Sequence, residues 1–205
     1  MMEILVIRHG QSQADLENRH EGRADFPLTE LGHRQARVAA DWVKQHYPPE
    51  LIITSSLRRA HKTAEIIGET TGAPVHLEPA LMEWNNGLLA GLSRSEAAVR
   101  FPYPEGGRRP HDTFAETESM IEFRARAEMF WSQFTHEFVQ PKRHQRVALV
   151  SHGGMINMLF QCFLGLPVIS DVLFSTGDTG IHLWTITPKG RRVIFTNRLE
   201  HLRFL

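Results

Sequence analysis

The chain has 205 residues, enough for one substantial domain with a sizeable core. Its 23 Lys and Arg balance 23 Asp and Glu, so no global field draws it to a nucleic acid or an acidic membrane. Any anion must be held by locally placed cations. The single cysteine, Cys162, lies in the apolar run Met158–Leu164; it excludes an internal disulfide and is expected to be a core thiol in a reducing, cytoplasmic compartment. The stretch Met1–Ile7 is too short and wrongly flanked for a secretory signal, and no apolar run is long enough to cross a bilayer.

In chain order, Ile4–Ile7, Leu51–Ile53 and Val147–Val150 are continuous aliphatic runs, the pattern of strands buried on both faces. Between the first two, Thr29 is a candidate N-cap for a helix whose apolar stripe runs through Leu31, Ala36, Ala39, Ala40 and Val43 and stops at Pro48-Pro49. A second helix is expected from Leu57 to about Thr71, closed by Gly72. The region 85–145 reads as an irregular and helical cap: Gly-Pro clusters, a short helix near Arg94–Arg100, then a long helix from about Glu118 to Val139. Another helix opens near Gly154, and Ile181–Ile186 with Arg192–Thr196 reads as a hairpin around Pro188-Lys-Gly190. Strands alternating with helices predict an α/β fold, a three-layer α/β/α sandwich on a mainly parallel sheet, forming one domain over 1–205.

In such sheets ligands bind where strands end and helices begin. Three polar motifs fall there: Arg8-His-Gly-Gln-Ser12 after the first run, Ser55-Ser-Leu-Arg-Arg-Ala60 after the second, and Ser151-His-Gly-Gly154 after the third. Together they describe a phosphate site. Guanidinium groups present fixed, paired donors to phosphoryl oxygens, and a helix start adds free N–H groups. Two histidines can divide the work, one attacking phosphorus and one donating to its oxygens. A general acid is still needed for the leaving alkoxide, and Glu83 in Leu81-Met-Glu-Trp84 is the candidate, provided that burial keeps its proton on.

These segments, with Pro27-Leu-Thr-Glu-Leu-Gly-His-Arg-Gln-Ala36, Thr63-Ala64, Gly87 and Gly91, resemble the histidine phosphatase superfamily, which includes the cofactor-dependent phosphoglycerate mutases. The resemblance covers about the first ninety residues and again Val147–Leu166. It implies that His9 is the nucleophile, that Arg8, Arg59 and His152 clamp the phosphate with the Gly153 N–H, and that Glu83 is the proton donor. Gln11 and Ser12 are candidate substrate contacts, with Ser12 alternatively serving only to cap the following turn. One position departs from the family's pattern: where an amide often contacts the phosphoryl group, this chain has Asp15. An ionised carboxylate there repels phosphate unless it turns away, pairs with a cation such as Arg19 or Arg23, or carries a proton.

Arg108 and Arg109 form either a solvated loop or a cationic rim for a second acidic group on the substrate, and Trp84 and Phe101 either line an apolar leaving-group pocket or belong to satellite core. His33, His46, His61, His136 and His201 read as surface residues, without the paired spacing of a zinc site, so neither metal nor cofactor is expected. The leading expectation is a phosphomonoester hydrolase acting on a small phosphorylated substrate. Its alternatives are a phosphoglycerate-type mutase, whose closing insertion is by resemblance longer than the segment here, and a binding module that retains the clamp without turnover. The terminal hairpin offers an edge at which a homodimer could pair.

Overall fold

The computed structural model describes residues 1–140 and 143–205. Its strands are β1 (Met2–Arg8), β2 (Leu51–Thr54), β3 (Val75–Leu77), β4 (Arg146–Ser151), β5 (Ile181–Thr187) and β6 (Gly190–Arg198). They form one sheet in the order β3-β2-β4-β1-β5-β6. The first four are mutually parallel; β5 runs antiparallel to β1, and β6 returns along it as the expected hairpin. The helices are α1 (Gln13–Leu16), α2 (Glu30–His46), α3 (Arg58–Thr71), α4 (Arg94–Arg100), α5 (Met120–Phe134) and α6 (Gly153–Leu164).

The alternation of side chains along a strand makes three layers of this sheet. Ile4 and Val6 of β1 pack with Phe123, Phe130 and Phe134 of α5 and Leu159 of α6. Leu5 and Ile7 point the other way, onto Ala36 and Ala40 of α2 and Ala64 and Ile67 of α3. All four β1 side chains are fully buried, worth about 2 kcal/mol each in apolar transfer. The predicted mainly parallel α/β/α sandwich is therefore observed.

Local signals explain where the helices begin and end. The Thr29 hydroxyl accepts from the Gly32 N–H at 3.0 Å, and Gly72 terminates α3 in the left-handed conformation. Two expectations change. The long helix keeps α geometry only to Phe134, after which Thr135–Val139 widens into a π turn. The strand β3 was not anticipated, because it has three residues and two of them, His76 and Leu77, are exposed. Residues 141 and 142 of the expected cap region lie outside the described residues. Among the described residues no helix is long and apolar enough to cross a membrane.

Candidate active site

The parallel order places the ends of β1 and β4 side by side, with Arg8 paired to Ser151 in register. The residues that follow, His9 and His152, are both buried, and their rings stand 5.0 Å apart between centroids. The β1 exit is held by close backbone packing: a Cβ on Gly10 would lie 2.5 Å from the Gly32 carbonyl oxygen, so α2 can start against this loop only if residue 10 has no side chain. The Gly10 N–H also donates to Thr63 Oγ1 at 3.2 Å.

His9 Nδ1 lies 2.7 Å from the Gly10 carbonyl oxygen. A carbonyl only accepts, so Nδ1 carries the hydrogen and Nε2 keeps its lone pair. That lone pair accepts from Arg59 Nε at 3.3 Å. Burial, then the Arg59 and Arg8 charges, hold the imidazole pKa well below its ordinary 6.5, so the ring is neutral. His152 is neutral for the same first reason, with Arg59 again the leading charge. Its Nε2 meets Ser55 Oγ at 2.8 Å, while its Nδ1 is buried without a partner.

Of the adjacent arginines on α3, Arg59 is the fully buried one and Arg58 is exposed. Arg59 is anchored by the carbonyls of Ala24 (3.0 Å) and Gly22 (2.8 Å). Arg8 donates to the Thr176 carbonyl at 2.8 Å and faces two carboxylates, Asp15 at 3.6 Å and Asp178 at 3.4 Å. Of the alternatives open for Asp15, pairing with a cation is the one observed: the partner is Arg8, while Arg19 and Arg23 are taken by Glu17 and Glu118.

Glu83 is half-buried rather than enclosed. Its carboxyl oxygens accept from the backbone N–H groups of Trp84 (2.7 Å) and Gly154 (2.9 Å), the latter in the first turn of α6. The Glu83 segment is pinned from α5. Arg126 donates to the carbonyls of Ala80, Met82 and Glu83 at 2.8, 2.7 and 3.1 Å while paired to Glu118 at 2.9 Å.

Other expected contacts are engaged within the protein. Gln11 accepts from the Thr29 hydroxyl at 2.8 Å, and Ser12 is buried, caps α1 and touches Asp15 and Glu21. Gly153 opens α6 beside Arg8. Arg109 is exposed and paired to Asp112, while Arg108 is half-buried and carries a buried Nε without a partner. Both line a cleft of about 260 Å³ with Trp84, Asn157, Met158 and Leu173. Phe101 is not among its walls. His201, expected at the surface, is buried and meets Thr179 Oγ1 at 2.9 Å; the Thr179 N–H in turn donates to the His9 carbonyl at 3.1 Å.

Sequence reasoning missed three neighbours of the cluster, Glu21, Asp178 and Arg126, and gave Ser55, although part of a site motif, no contact with His152. Glu21 lies 3.3 Å from Arg59 Nε and 3.9 Å from His9 Nε2. Among the described residues no three His, Cys, Asp or Glu side chains are gathered as a metal ion requires.

A model of the histidine phosphatase superfamily (branch 1) matches residues 4–198. The chain belongs to that superfamily. Among its relatives, glucosyl-3-phosphoglycerate phosphatase of Mycobacterium tuberculosis is 32% identical over 194 residues, covering 89% of this chain and 83% of the relative. A Photorhabdus laumondii protein named "Probable phosphoglycerate mutase GpmB" is 35% identical over 172 residues, covering 82% and 77%. A solved structure of mycobacterial glucosyl-3-phosphoglycerate phosphatase in complex with VO3 superposes with a TM-score of 0.80 at 26% identity, covering 96% and 99%. The α-ribazole phosphatase of Shigella flexneri shares the fold, with a TM-score of 0.84 at 23% identity over 97% of each chain. Within this superfamily fold, His9, His152, Arg8 and Arg59 form one cluster at the carboxyl ends of β1 and β4.

Proposed function

We propose that the chain is a phosphomonoesterase that works through a phosphohistidine on His9. The observation that carries this reading is the tautomer: the Gly10 carbonyl holds the hydrogen on Nδ1, leaving a neutral Nε2 lone pair beside Arg59 and His152. A buried imidazole that stays unprotonated is a competent nucleophile.

In the first step His9 Nε2 bonds to phosphorus, the ester P–O bond breaks, and the leaving alkoxide takes a proton from Glu83. Positive charge arriving on the imidazole is met by the Gly10 carbonyl at Nδ1. Arg8 and Arg59 neutralise the phosphoryl oxygens, and the unpartnered His152 Nδ1, protonated while Nε2 accepts from Ser55, donates to one of them. In the second step the Glu83 carboxylate takes a proton from water, the water oxygen attacks phosphorus, and the N–P bond breaks. Phosphate leaves and both residues regain their starting protonation. The cations of the clamp are arginines, and no step is routed through a metal.

The alcohol portion of the substrate fits the cleft that opens beside Trp84, the neighbour of Glu83. Apolar walls with the Arg108 cation suit a phosphorylated hydroxy acid of modest size, in keeping with the glycerate moiety in the name of the mycobacterial relative. The mutase alternative draws on the GpmB relative and uses the same first step.

The test is release of phosphate from an aryl phosphate with a chelator present, alongside acid-labile, base-stable ³²P labelling of the protein. Turnover and label that both vanish in His9→Ala support the reading. Label that passes to an added phosphoglycerate instead of to water would establish the mutase. Turnover retained in His9→Ala would sink both.

A further inference from the structure

The clamp holds more negative charge than a phosphate site needs. Arg8 and Arg59 already meet Asp15, Asp178 and Glu21, with Glu83 close enough to act on Arg59. Adding a phosphoryl dianion to this set, even with Glu83 carrying its catalytic proton, leaves three carboxylates and the ligand against two guanidinium groups.

Glu21 is the carboxyl that stands where the ligand must come. Facing it are Arg8 and His9 from the end of β1, Ser12 and Asp15 at the start of α1, and Arg59 from α3. Its Oε1 lies 3.3 Å from Arg59 Nε, whose N–H points to His9 Nε2, so a carboxylate charge sits beside both the guanidinium and the atom that would attack phosphorus.

The hydrogen-bond inventory points the same way. The buried Ser12 hydroxyl lies within hydrogen-bond reach of Asp15 Oδ2 (2.9 Å) and of Glu21 Oε1, and accepts from the Asp15 N–H. A hydroxyl has one proton to donate. With both acids ionised, one carboxylate oxygen faces a lone pair; with a proton on Glu21, both contacts are satisfied.

We propose that Glu21 is a proton-carrying member of the phosphate clamp: ionised, it holds Arg59 in place of a phosphoryl oxygen, and protonated, it donates to the Ser12 hydroxyl and leaves Arg59 to the ligand. Oxyanion binding is then coupled to uptake of one proton from solvent, and affinity falls as pH rises. Burial, which outweighs the Arg59 charge at this site, raises the Glu21 pKa in the direction this coupling needs. The inference rests on the phosphate clamp of the proposed function and not on turnover.

The probe is sulfate, a dianion that carries no proton in this range, so any proton bound must sit on the protein. Calorimetric titration of the wild-type chain in two buffers of different ionisation enthalpy, near pH 7.5, is expected to show uptake of about one proton per sulfate, with affinity falling about tenfold per pH unit. Glu21→Gln keeps the shape and the Arg59 neighbour, and is expected to bind sulfate at least about tenfold more tightly at that pH with the proton uptake abolished. No uptake in the wild type, or the same uptake in Glu21→Gln, overturns the proposal. If the variant does not fold, the wild-type buffer pair alone decides, and absence of proton uptake overturns it. Failure of the phosphatase reading would instead appear as absent turnover with sulfate binding unaffected.

Discussion

Gly154 and Glu83 meet so closely that a Cβ on residue 154 would lie 2.4 Å from Glu83 Oε1. The carboxyl group is seated on the first turn of α6 only because that turn has no side chain at this point. Gly154→Ala must therefore push Glu83 off the Gly154 N–H, while the Arg8 and Arg59 cluster is left in place. If Glu83 is the general acid proposed above, the expected outcome is a fall in kcat of about a hundredfold, the lower range for losing such a group, with inhibition by inorganic phosphate nearly unchanged. Equal losses in kcat and in phosphate affinity would mean that α6 itself had shifted.

Arg126 supports the proposed acid Glu83 from the opposite side, through the backbone. Arg126→Met removes three carbonyl contacts at the Glu83 segment and leaves Glu118 without its closest cation. Because the pair is largely buried, the expected cost is about 3 kcal/mol of unfolding free energy in a denaturant titration. The kinetic signature is a drop in kcat larger than any rise in KM. Unchanged kcat in the folded variant would show that the segment holds its position without α5.

Asp15 stands where the family often has an amide, and its charge faces Arg8 at 3.6 Å. Asp15→Asn keeps an oxygen for the Ser12 N–H, which now donates at 2.8 Å, and removes one negative charge from the pocket. KM for an aryl phosphate near pH 7.5 is expected to fall severalfold. A rise would show that the carboxylate positions Arg8 more than it repels the substrate.

Four buried histidines give the stability a definite pH dependence. Burial first, and then Arg59, hold His9 and His152 well below 6.5; burial lowers His182 and His201 to about 4. Unfolded, all four take protons near 6.5, so below that pH the unfolded state binds more protons and stability falls. Each contributes roughly 1.4 kcal/mol per pH unit until its folded value is reached. Glu21 and Asp178 act with opposite sign: burial raises both, and the folded state keeps their protons longer as pH rises. The histidines outnumber them, so the chemical-denaturation midpoint is expected to drop from pH 7 to pH 5. His201→Gln should flatten that slope by about one proton; a midpoint that holds or rises toward pH 5 contradicts the assignment.

The parts legible in sequence are those set by neighbouring residues. Ile4–Ile7 and Val147–Val150 announce doubly buried strands, and Thr29 and Gly72 mark helix ends, because periodicity and caps act over a few positions. The short edge strand Val75–Leu77 lacks that signal. Glu21 was invisible for another reason: it lies on an irregular stretch with no period, and only the fold brings it to Arg59. Arg126 and Ser55 likewise act through partners distant in the chain. Asp15 is legible as unusual and as a residue that a cation can neutralise, but sequence proximity suggests Arg19 and Arg23 where the fold supplies Arg8.

The strand order bears on how the chain is made. β4 lies between β1 and β2, and its first residue, Arg146, pairs with Glu3 across 143 positions. A chain emerging from the ribosome presents β1 and β2 with the place between them empty, and the pairing that fills it is available only after most of the polypeptide has been synthesised. Contacts of such long separation form late and slowly. Nascent chains stalled before residue 146 therefore expose unpaired aliphatic strand edges, and these intermediates, more than the finished enzyme, are where chaperones have something to hold.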